Sequence, residues 1–270
     1  MRGLSLARLV GLLGLGETAR CERYSARRGG CATQEPKLRA VSSARQRRVD
    51  VNIRSGPQMR EYVAIADRVA ALRPGRVLDW GCGLGQMSHL LGERRVDVVA
   101  FDYVEGSETM VMPLGVFPGI ERHVSGDPVL LPFAEEFDTV LACGVLEHVQ
   151  RPEESLRELH RVLRPGGRLL VFKLPNRLSY LEAIAKRAGM YYHGAFPDDR
   201  VYDKRSSTAL LAGHGFRVDQ FRRTNMLPLT VDHRLAGRFN GLIWQTSRAL
   251  ARVPGLALLA TNLELEATAI

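Results

Sequence analysis

The chain has 270 residues, of which 45% are hydrophobic and 25% charged, so it is long enough to bury the core of one large globular domain. No apolar run reaches the roughly 18–20 residues that a membrane-spanning helix needs, so we expect no helical membrane span. The net charge is +9, but residues 1–50 contribute seven of those charges. The rest of the chain is nearly neutral and lacks the basic surface expected of a nucleic-acid-binding protein.

The first fifty residues are a basic extension without sustained hydrophobic periodicity, and we expect this extension to be disordered. Its arginines and serines are typical of a mitochondrial transit peptide, although Glu17 and Glu22 depart from that composition. A secretory signal is disfavoured because Arg8 interrupts the apolar stretch Leu4–Leu15. We therefore predict a cytoplasmic protein whose domain spans residues 51–270, with the mitochondrial matrix as the alternative location. A translation start further downstream also stays open.

The four cysteines, Cys21, Cys31, Cys82 and Cys143, are scattered along the chain. They form no CxxC pair and no zinc-binding spacing, and they are too few and too dispersed for a disulfide framework. A reducing compartment is the simpler interpretation.

From residue 57 onward, apolar residues recur with the spacing of regular secondary structure. Helices are predicted over Met59–Leu72, Gln86–Leu91, Pro152–Leu163 and Ser206–Ala212. Strands are predicted over Arg76–Asp79, Val96–Phe101, Phe137–Ala142, Arg168–Leu174, Phe216–Arg222 and Asn262–Ala267. Strands that alternate with helices in this way indicate a doubly wound α/β sheet.

A glycine-rich turn follows the first predicted strand, where the sequence runs from Asp79 through Gly81, Gly83 and Gly85. Glycines at a strand's carboxyl end let the backbone turn sharply and approach a ligand closely. Ligands of open α/β sheets bind at this edge of the sheet. A tight turn without a ligand is the alternative interpretation of the same pattern.

Two acids and a cysteine follow further along the chain, where the next strand and helix pairs begin and end. Asp102 ends the second predicted strand, where an acid can accept hydrogen bonds from both hydroxyls of a ribose. Asp127, next to Gly126, offers a carboxylate for an adenine amine, with the apolar residues of Leu131–Phe133 beside it. Cys143 is the first residue of the segment Cys143–Val149, which follows the predicted strand Phe137–Ala142 and would close the site. Each residue alone also has a structural explanation, since Asp102 could be an exposed strand end and Asp127 a turn former.

The combination resembles the class I S-adenosylmethionine-dependent methyltransferases, in particular their small-molecule branch. The matching segments are Val145–Val149, which reads VLEHV, and Arg161–Gly167, which reads RVLRPGG. The resemblance covers about residues 60–222. It implies a Rossmann-like, mostly parallel seven-stranded sheet with a helical cap insertion at about residues 175–205, and S-adenosyl-L-methionine as the cofactor.

The same resemblance assigns roles to the individual residues. Asp79, Gly81, Gly83 and Gly85 would cradle the methionine and ribose of the cofactor. Three further residues would complete the site: Asp102 at the ribose hydroxyls, Asp127 at the adenine amine, and Cys143 through its backbone.

A dinucleotide-dependent oxidoreductase is the competing interpretation of the glycine turn. Its GxGxxG pattern fails here, because the sixth position counted from Gly81 is Gln86. The Pro-Gly-Gly turn before the next strand, Pro165–Gly167, also favours the methyltransferase.

His148 is the candidate general base, because it follows the strand that would face the transferred methyl group. A structural histidine that holds the following loop is the alternative. Some quinone-precursor O-methyltransferases resemble the chain here and use an ExxEH segment for a divalent metal. This chain has Glu147 and His148 but Gly144 in place of the first acid, so no metal is predicted.

The acceptor is predicted to be a small molecule, a sugar or a lipid-linked compound, methylated on a hydroxyl. Its pocket should lie in Pro175–Arg205 and the C-terminal third, and the candidates to line it are Tyr180, Tyr191, Tyr192, His193 and Phe196. His193 and Tyr202 are alternative general bases. Leu235–Leu259 combines leucines with arginines, so it either contacts a membrane peripherally or packs on the sheet. A binding protein without catalysis, which docks through the basic extension, is the alternative function.

Overall fold

The computed structural model describes residues 56–103, 119–187, 199–229 and 239–270, apart from the side chains of residues 185 and 186. The extension, residues 1–50, lies outside the described residues, and so does much of the expected cap. The described helices are α1 (Gly56–Ala71), α2 (Gln86–Glu93), α3 (Pro152–Val162), α4 (Tyr180–Arg187), α5 (Lys204–Ala212) and α6 (Asn240–Leu250), with a short 3₁₀ turn at Leu256–Leu259.

The strands form one seven-stranded sheet in the order β3-β2-β1-β4-β5-β7-β6. They are β1 (Arg76–Trp80), β2 (Asp97–Tyr103), β3 (Glu121–Ser125), β4 (Phe137–Cys143), β5 (Leu163–Pro175), β6 (Phe216–Thr224) and β7 (Asn262–Ala269). All neighbouring pairs from β3 to β5 are parallel, whereas β7 runs antiparallel to both of its neighbours. The expected doubly wound, mostly parallel seven-stranded sheet is therefore confirmed.

Helices cover both faces of the sheet because successive strand residues point to opposite sides. On one face, Leu78 and Val140 are fully buried in a cluster that includes Leu156 of α3 and Leu211 of α5. On the other face, residues such as Leu141 pack with apolar side chains of α1 and α2. These near-continuous apolar strands are what made the sheet visible in the sequence.

Two features of the sheet differ from the expectation. Strand β3 has no counterpart among the strands located from the sequence, because it is a short, largely polar edge strand. The helix before β5 ends at Val162, and Pro165–Gly167 falls within the bounds of β5 as an irregular segment, where Gly166 has a φ of 75°. The β4–β5 register shifts between Phe137 and Thr139, which accommodates these extra residues as an irregularity of the sheet.

Helix α6, in the C-terminal region, packs against α1. Trp244 and Arg248 face α1, where the Trp244 indole N–H donates a 2.6 Å hydrogen bond to the buried carboxylate of Glu61. Leu242, on the same helix, is 61% exposed. One face of α6 therefore packs on the domain, as the core-packing interpretation expects, and the opposite face is in contact with solvent.

Candidate functional site

The carboxyl ends of β1, β2 and β4 meet at one edge of the sheet. Strand β1 lies between β2 and β4. The chain adds β2 and β3 along one side of β1 and then adds β4 along the other side. This is the topological switch point, where connecting segments diverge and leave a crevice for a ligand. The predicted residues lie at the carboxyl ends of these three strands: Asp79 and Asp102 are the last but one residues of β1 and β2, and Cys143 is the last residue of β4.

The glycine turn adopts the backbone conformation for which glycine was expected. Gly81, Gly83 and Gly85 have φ angles of 72°, 53° and 80°, a region that other residues rarely occupy. A Cβ on Gly81 would lie 2.6 Å from both methyl carbons of Val145, so this glycine lets the turn approach the segment after β4. A Cβ on Gly83 would meet no described atom within 4 Å. Gly83 therefore borders open space at the edge of the sheet.

Asp79 is buried directly before the glycine turn, and its carboxylate is hydrogen-bonded within the domain. It is 1% exposed, and the Ser88 hydroxyl of α2 donates a 2.5 Å hydrogen bond to its Oδ2 atom. Burial raises the pKa of Asp79 to about 6, although the Ser88 hydrogen bond and a backbone hydrogen bond lower it. Asp79 thus ties the end of β1 to the first turn of α2, on the two sides of the glycine turn.

Asp102 connects β2 to the glycine turn. The Gly83 backbone N–H donates a 2.6 Å hydrogen bond to Asp102 Oδ2, and the Tyr103 N–H donates one of 2.8 Å to Oδ1. Burial raises the pKa of Asp102, while these two hydrogen bonds lower it. A carboxylate has about four acceptor positions, so both oxygens can still accept a ligand hydroxyl. The carboxylate and the open side of Gly83 fit the ribose of the expected cofactor.

Asp127 is exposed at the turn after β3. Its Oδ1 atom accepts hydrogen bonds of 2.8 Å from the backbone N–H groups of Val129 and Leu130, and these bonds lower the pKa of Asp127. The geometry is that of an Asx turn, which leaves the second carboxylate oxygen available. The contact of Asp127 with an adenine amine stays a prediction.

The apolar residues near Asp127 divide differently from the expectation. Leu131 and Phe133 are buried in the core, where the Phe133 ring contacts Phe101 and Phe137 edge to face. Leu130 is 59% exposed instead. Leu130, and Pro132 of the predicted segment, are therefore exposed apolar side chains that solvent or a flat ligand can reach.

A cavity of about 230 Å³ opens beside the carboxyl ends of β4 and β5. Its wall includes Cys143 at the end of β4, Gly144 directly after it, Lys173 on β5 and Tyr62 on α1. Other side chains from α1, β7 and the segment after β6 complete the wall. Burial raises the pKa of the Cys143 thiol to about 12, which keeps the thiol neutral. The cavity thus joins the predicted cofactor edge, through Cys143, to a space that could hold a second molecule.

His148 lines this cavity, and a carboxylate orients its ring. Its Nδ1 atom lies 2.7 Å from Asp199 Oδ1, whereas Nε2 lies 3.9 Å from Glu147 Oε1. Because a carboxylate only accepts hydrogen bonds, we assign the proton to Nδ1, which leaves Nε2 as the basic nitrogen. The side chain of Asp199 is 8% exposed and that of His148 is 55% exposed. The pair thus has the arrangement of a base held by an orienting acid.

Sequence reasoning did not identify Lys173, Tyr62 or Glu61, although all three line the cavity. Glu61 is 1% exposed and accepts hydrogen bonds from Trp244, Arg248 and Asn225. No sequence motif marks these residues, because they come from α1 and β5 and meet only in the folded chain.

The acceptor-pocket candidates fall into two groups. Tyr191, Tyr192, His193 and Phe196 lie outside the described residues. The Tyr180 hydroxyl donates to the Met226 carbonyl at 2.5 Å, and the Tyr202 hydroxyl donates to the Leu146 carbonyl at 3.4 Å. Burial raises the pKa of Tyr202 to about 12, which makes it a poor base near neutral pH.

Within the described ranges, no group of three or more His, Cys, Asp or Glu side chains is arranged to hold a metal ion. Gly144, where the ExxEH segment would have its first acid, has a φ of 73°. In the same ranges, no helix is both long enough and apolar enough to cross a bilayer.

Comparison with known proteins places these features in context. The family described as methyltransferase domain matches residues 56–220. The chain is 36% identical over 110 residues to a demethylmenaquinone methyltransferase of Renibacterium salmoninarum, covering 40% of this chain and 44% of that one. It is 29% identical over 122 residues to a ubiquinone biosynthesis O-methyltransferase of Pseudomonas aeruginosa, covering 44% and 53%. The chain thus spans about half the length of the curated relatives it matches.

Among solved structures, a Thermotoga maritima protein described as a SAM-dependent methyltransferase, possibly a histamine N-methyltransferase, superposes with a TM-score of 0.51 at 19% identity. The superposition covers 77% of this chain and 88% of that one. At this identity the likeness shows a shared fold.

Proposed function

Since the chain belongs to the methyltransferase domain family and has the class I fold that uses S-adenosylmethionine, we propose that it transfers a methyl group to a hydroxyl of a small-molecule acceptor. The expected family and cofactor are confirmed by the family match. The acceptor and the position of the hydroxyl are the proposed part. The ubiquinone relative is named as an O-methyltransferase, which supports oxygen as the methylated atom.

The observation that carries the proposal is the pair formed by His148 and Asp199 at the mouth of the cavity next to Cys143. When bound, S-adenosylmethionine supplies an activated methyl group on a positively charged sulfur. Asp102 and the glycine turn fit its nucleoside, which leaves the cavity for the acceptor. In this arrangement His148 Nε2 accepts the proton of the acceptor hydroxyl, and Asp199 stabilises the imidazolium that forms.

Much of the rate acceleration should come from holding the acceptor in line with the methyl group. Effective molarities of about 10⁵–10⁸ M are known for well-aligned reactions. The side chains that line the cavity supply this alignment and exclude water, and the base adds about 10²–10⁴-fold where one is used. Proposed peripheral contact with a membrane would follow from a lipid-linked acceptor, and the cytoplasmic location stays a prediction.

The first test is calorimetry of the full chain with S-adenosylhomocysteine, the product of methyl transfer. We expect binding with a dissociation constant in the micromolar range or tighter, and absence of binding would refute the proposal. The second test incubates the protein with S-adenosylmethionine carrying a tritium label on the methyl group and a panel of phenols, sugars, amines and thiols. Label that reaches only nitrogen or sulfur acceptors would refute O-methylation while leaving the cofactor assignment intact.

A further inference from the structure

Lys173 occupies an irregular position in β5, at the wall of the cavity. Its φ angle is 59°, in a region that residues with a Cβ rarely adopt. The pairing of β5 with β7 shifts register between Val171 and Leu174, which is the mark of a bulge. Bulges next to active sites redirect a side chain, and strained backbone is concentrated at functional sites. The bulge therefore gives a physical reason why a lysine within a buried strand reaches the cavity.

Lys173 has one hydrogen-bond partner among the described residues. Its ammonium donates to the Tyr62 hydroxyl at 3.0 Å and lies 4.5 Å from the centroid of the same ring. No ion pair joins Lys173 to a carboxylate in the described part of the chain. An ammonium has three donors, so two remain for a molecule in the cavity.

The charge of Lys173 persists in this half-buried position. Burial lowers the pKa of the ammonium, but the hydrogen bond to Tyr62 and the Glu147 carboxylate act in the opposite direction, and the pKa is raised overall. A fixed positive charge in a partly buried position stabilises an oxygen anion more strongly than the same charge in bulk water. A neutral acceptor gains much less from it.

Building on the proposed function, we propose that Lys173 is a catalytic residue that binds the acceptor's hydroxyl oxygen as its anion. The acceptor class is then a phenol or an enol, because these hydroxyls ionise far more readily than those of a sugar. Tyr62 is the positioning residue that holds the ammonium. Together, Lys173 and Tyr62 select an acidic hydroxyl, and His148 takes up its proton.

The step is balanced without a further reactant. The hydroxyl proton moves to His148 Nε2 and is later released to water. The electron pair of the oxygen anion forms the new bond to the methyl carbon. The bond between that carbon and sulfur breaks, and its electron pair stays on sulfur. Lys173 keeps all of its protons throughout.

The test uses para-nitrophenol, whose anion absorbs visible light whereas the neutral phenol does not. The probe is titrated into the full chain at a pH below the pKa of the free phenol, with and without S-adenosylhomocysteine. We expect the wild-type protein to bind the probe as its anion, so that the phenolate band grows with protein concentration. Lys173→Met should abolish the band and Lys173→Arg should restore part of it.

Matched controls separate this role from a structural one. Lys204→Met, at an exposed lysine on α5, should give the wild-type spectrum. If Lys173→Met fails to fold by thermal unfolding, Lys173→Gln takes its place, since it removes the charge but keeps a polar chain. A wild-type protein without the band, or a charge-free variant that keeps it, would overturn the assignment of Lys173. Calorimetry with S-adenosylhomocysteine reports separately on the proposed function, because the nucleoside is assigned to Asp102 and the glycine turn, whereas Lys173 donates its hydrogen bond to Tyr62 on the cavity wall.

Discussion

Asp102 and Gly83 are joined by a 2.6 Å hydrogen bond from the Gly83 backbone N–H to Asp102 Oδ2. The residues are 19 positions apart, on β2 and on the turn after β1. The bond fixes the turn against the neighbouring strand and aims the carboxylate at the space beside Gly83. The two features on which the cofactor assignment rests are therefore one unit.

Asp102→Ala should weaken the binding of S-adenosylhomocysteine by about 10- to 100-fold. The variant loses a hydrogen bond between a charged carboxylate and the ribose, and one such bond contributes about 1.5–3 kcal/mol. Calorimetry measures the change. Asp97→Ala is the matched control, because Asp97 lies at the exposed start of the same strand and should leave the affinity within about twofold. Equal effects of the two substitutions would remove Asp102 from the ribose site.

Gly81→Ala and Gly83→Ala should separate folding from binding. A methyl group on Gly81 would collide with Val145, so this variant should lose stability through both overpacking and strain, about 2–4 kcal/mol in total. A methyl group on Gly83 meets open space, so its stability cost is the backbone strain of about 1–2 kcal/mol. Gly83→Ala should also weaken the binding of S-adenosylhomocysteine by the folded protein. Gly81→Ala should weaken binding only as far as it reduces the folded fraction.

Urea unfolding and calorimetry on both variants check this difference. If Gly83→Ala binds S-adenosylhomocysteine as the wild type does, the open side of Gly83 does not face the cofactor.

His148→Gln should lower kcat by about 10²–10⁴-fold with the acceptor found in the labelled panel, because the variant lacks a base. Its affinity for S-adenosylhomocysteine should stay unchanged. Asp199→Asn should cause a smaller loss, since the imidazole remains but loses its orienting carboxylate. The control is His214→Gln, at a histidine whose Nδ1 atom bonds to the Leu210 carbonyl. A His148→Gln variant with undiminished kcat would leave His148 a structural histidine of the loop.

The fold was largely predictable because its information is local. Buried parallel strands such as β2 and β4 are apolar at most of their positions, and helix α1 has its apolar residues at helical spacing. Strand β3 escaped prediction because an edge strand needs few apolar residues, and Glu121–Ser125 has mostly polar ones. The Pro-Gly-Gly segment is predicted as a turn before β5, whereas it lies within the bounds of β5, where the β4–β5 register shifts.

The candidate site was predictable only on its cofactor side. Asp79, Asp102 and the glycines follow from strand ends, which the apolar pattern locates. The acceptor side depends on contacts between distant residues: His148 and Asp199 are 51 positions apart, and Lys173 and Tyr62 are 111 apart. Lys173 also depends on a bulge, for which β5 carries no local signal that we recognised. Pairings of this kind become visible only when the helices and strands are assembled.

Glu61→Ala should destabilise the domain by about 3 kcal/mol. Removing one partner of a buried ion pair leaves the other charge uncompensated, at a cost of about 3–5 kcal/mol, and the lower end applies because Arg248 is 22% exposed. The Trp244 N–H would also lose its acceptor. Urea unfolding measures the loss, and Glu135→Ala, at an exposed loop position, should stay within about 0.5 kcal/mol of the wild type. A similar value for both variants would mean that Glu61 does not hold α6 on α1.

Asp79→Asn should remove a pH-dependent loss of stability. The pKa of Asp79 is raised from 3.8 to about 6 in the folded chain, so the folded state binds the proton more tightly than the unfolded state. The contribution of this group to the free energy of unfolding is therefore most favourable below pH 3.8 and falls as the pH rises to about 6. At about 1.4 kcal/mol per pH unit, the fall is about 3 kcal/mol.

The asparagine variant keeps an acceptor for Ser88 but does not titrate, so its stability relative to the wild type should increase by that amount across this pH range. Urea unfolding of both proteins at a series of pH values gives the difference directly, and groups elsewhere in the chain cancel. Asp97→Asn, at the exposed start of β2, is the matched control. A stability difference between Asp79→Asn and the wild type that does not change with pH would contradict this prediction. It would mean that the folded and unfolded chains bind the Asp79 proton equally well, because the surroundings of the buried carboxylate, including Ser88, stabilise its charge as well as water does.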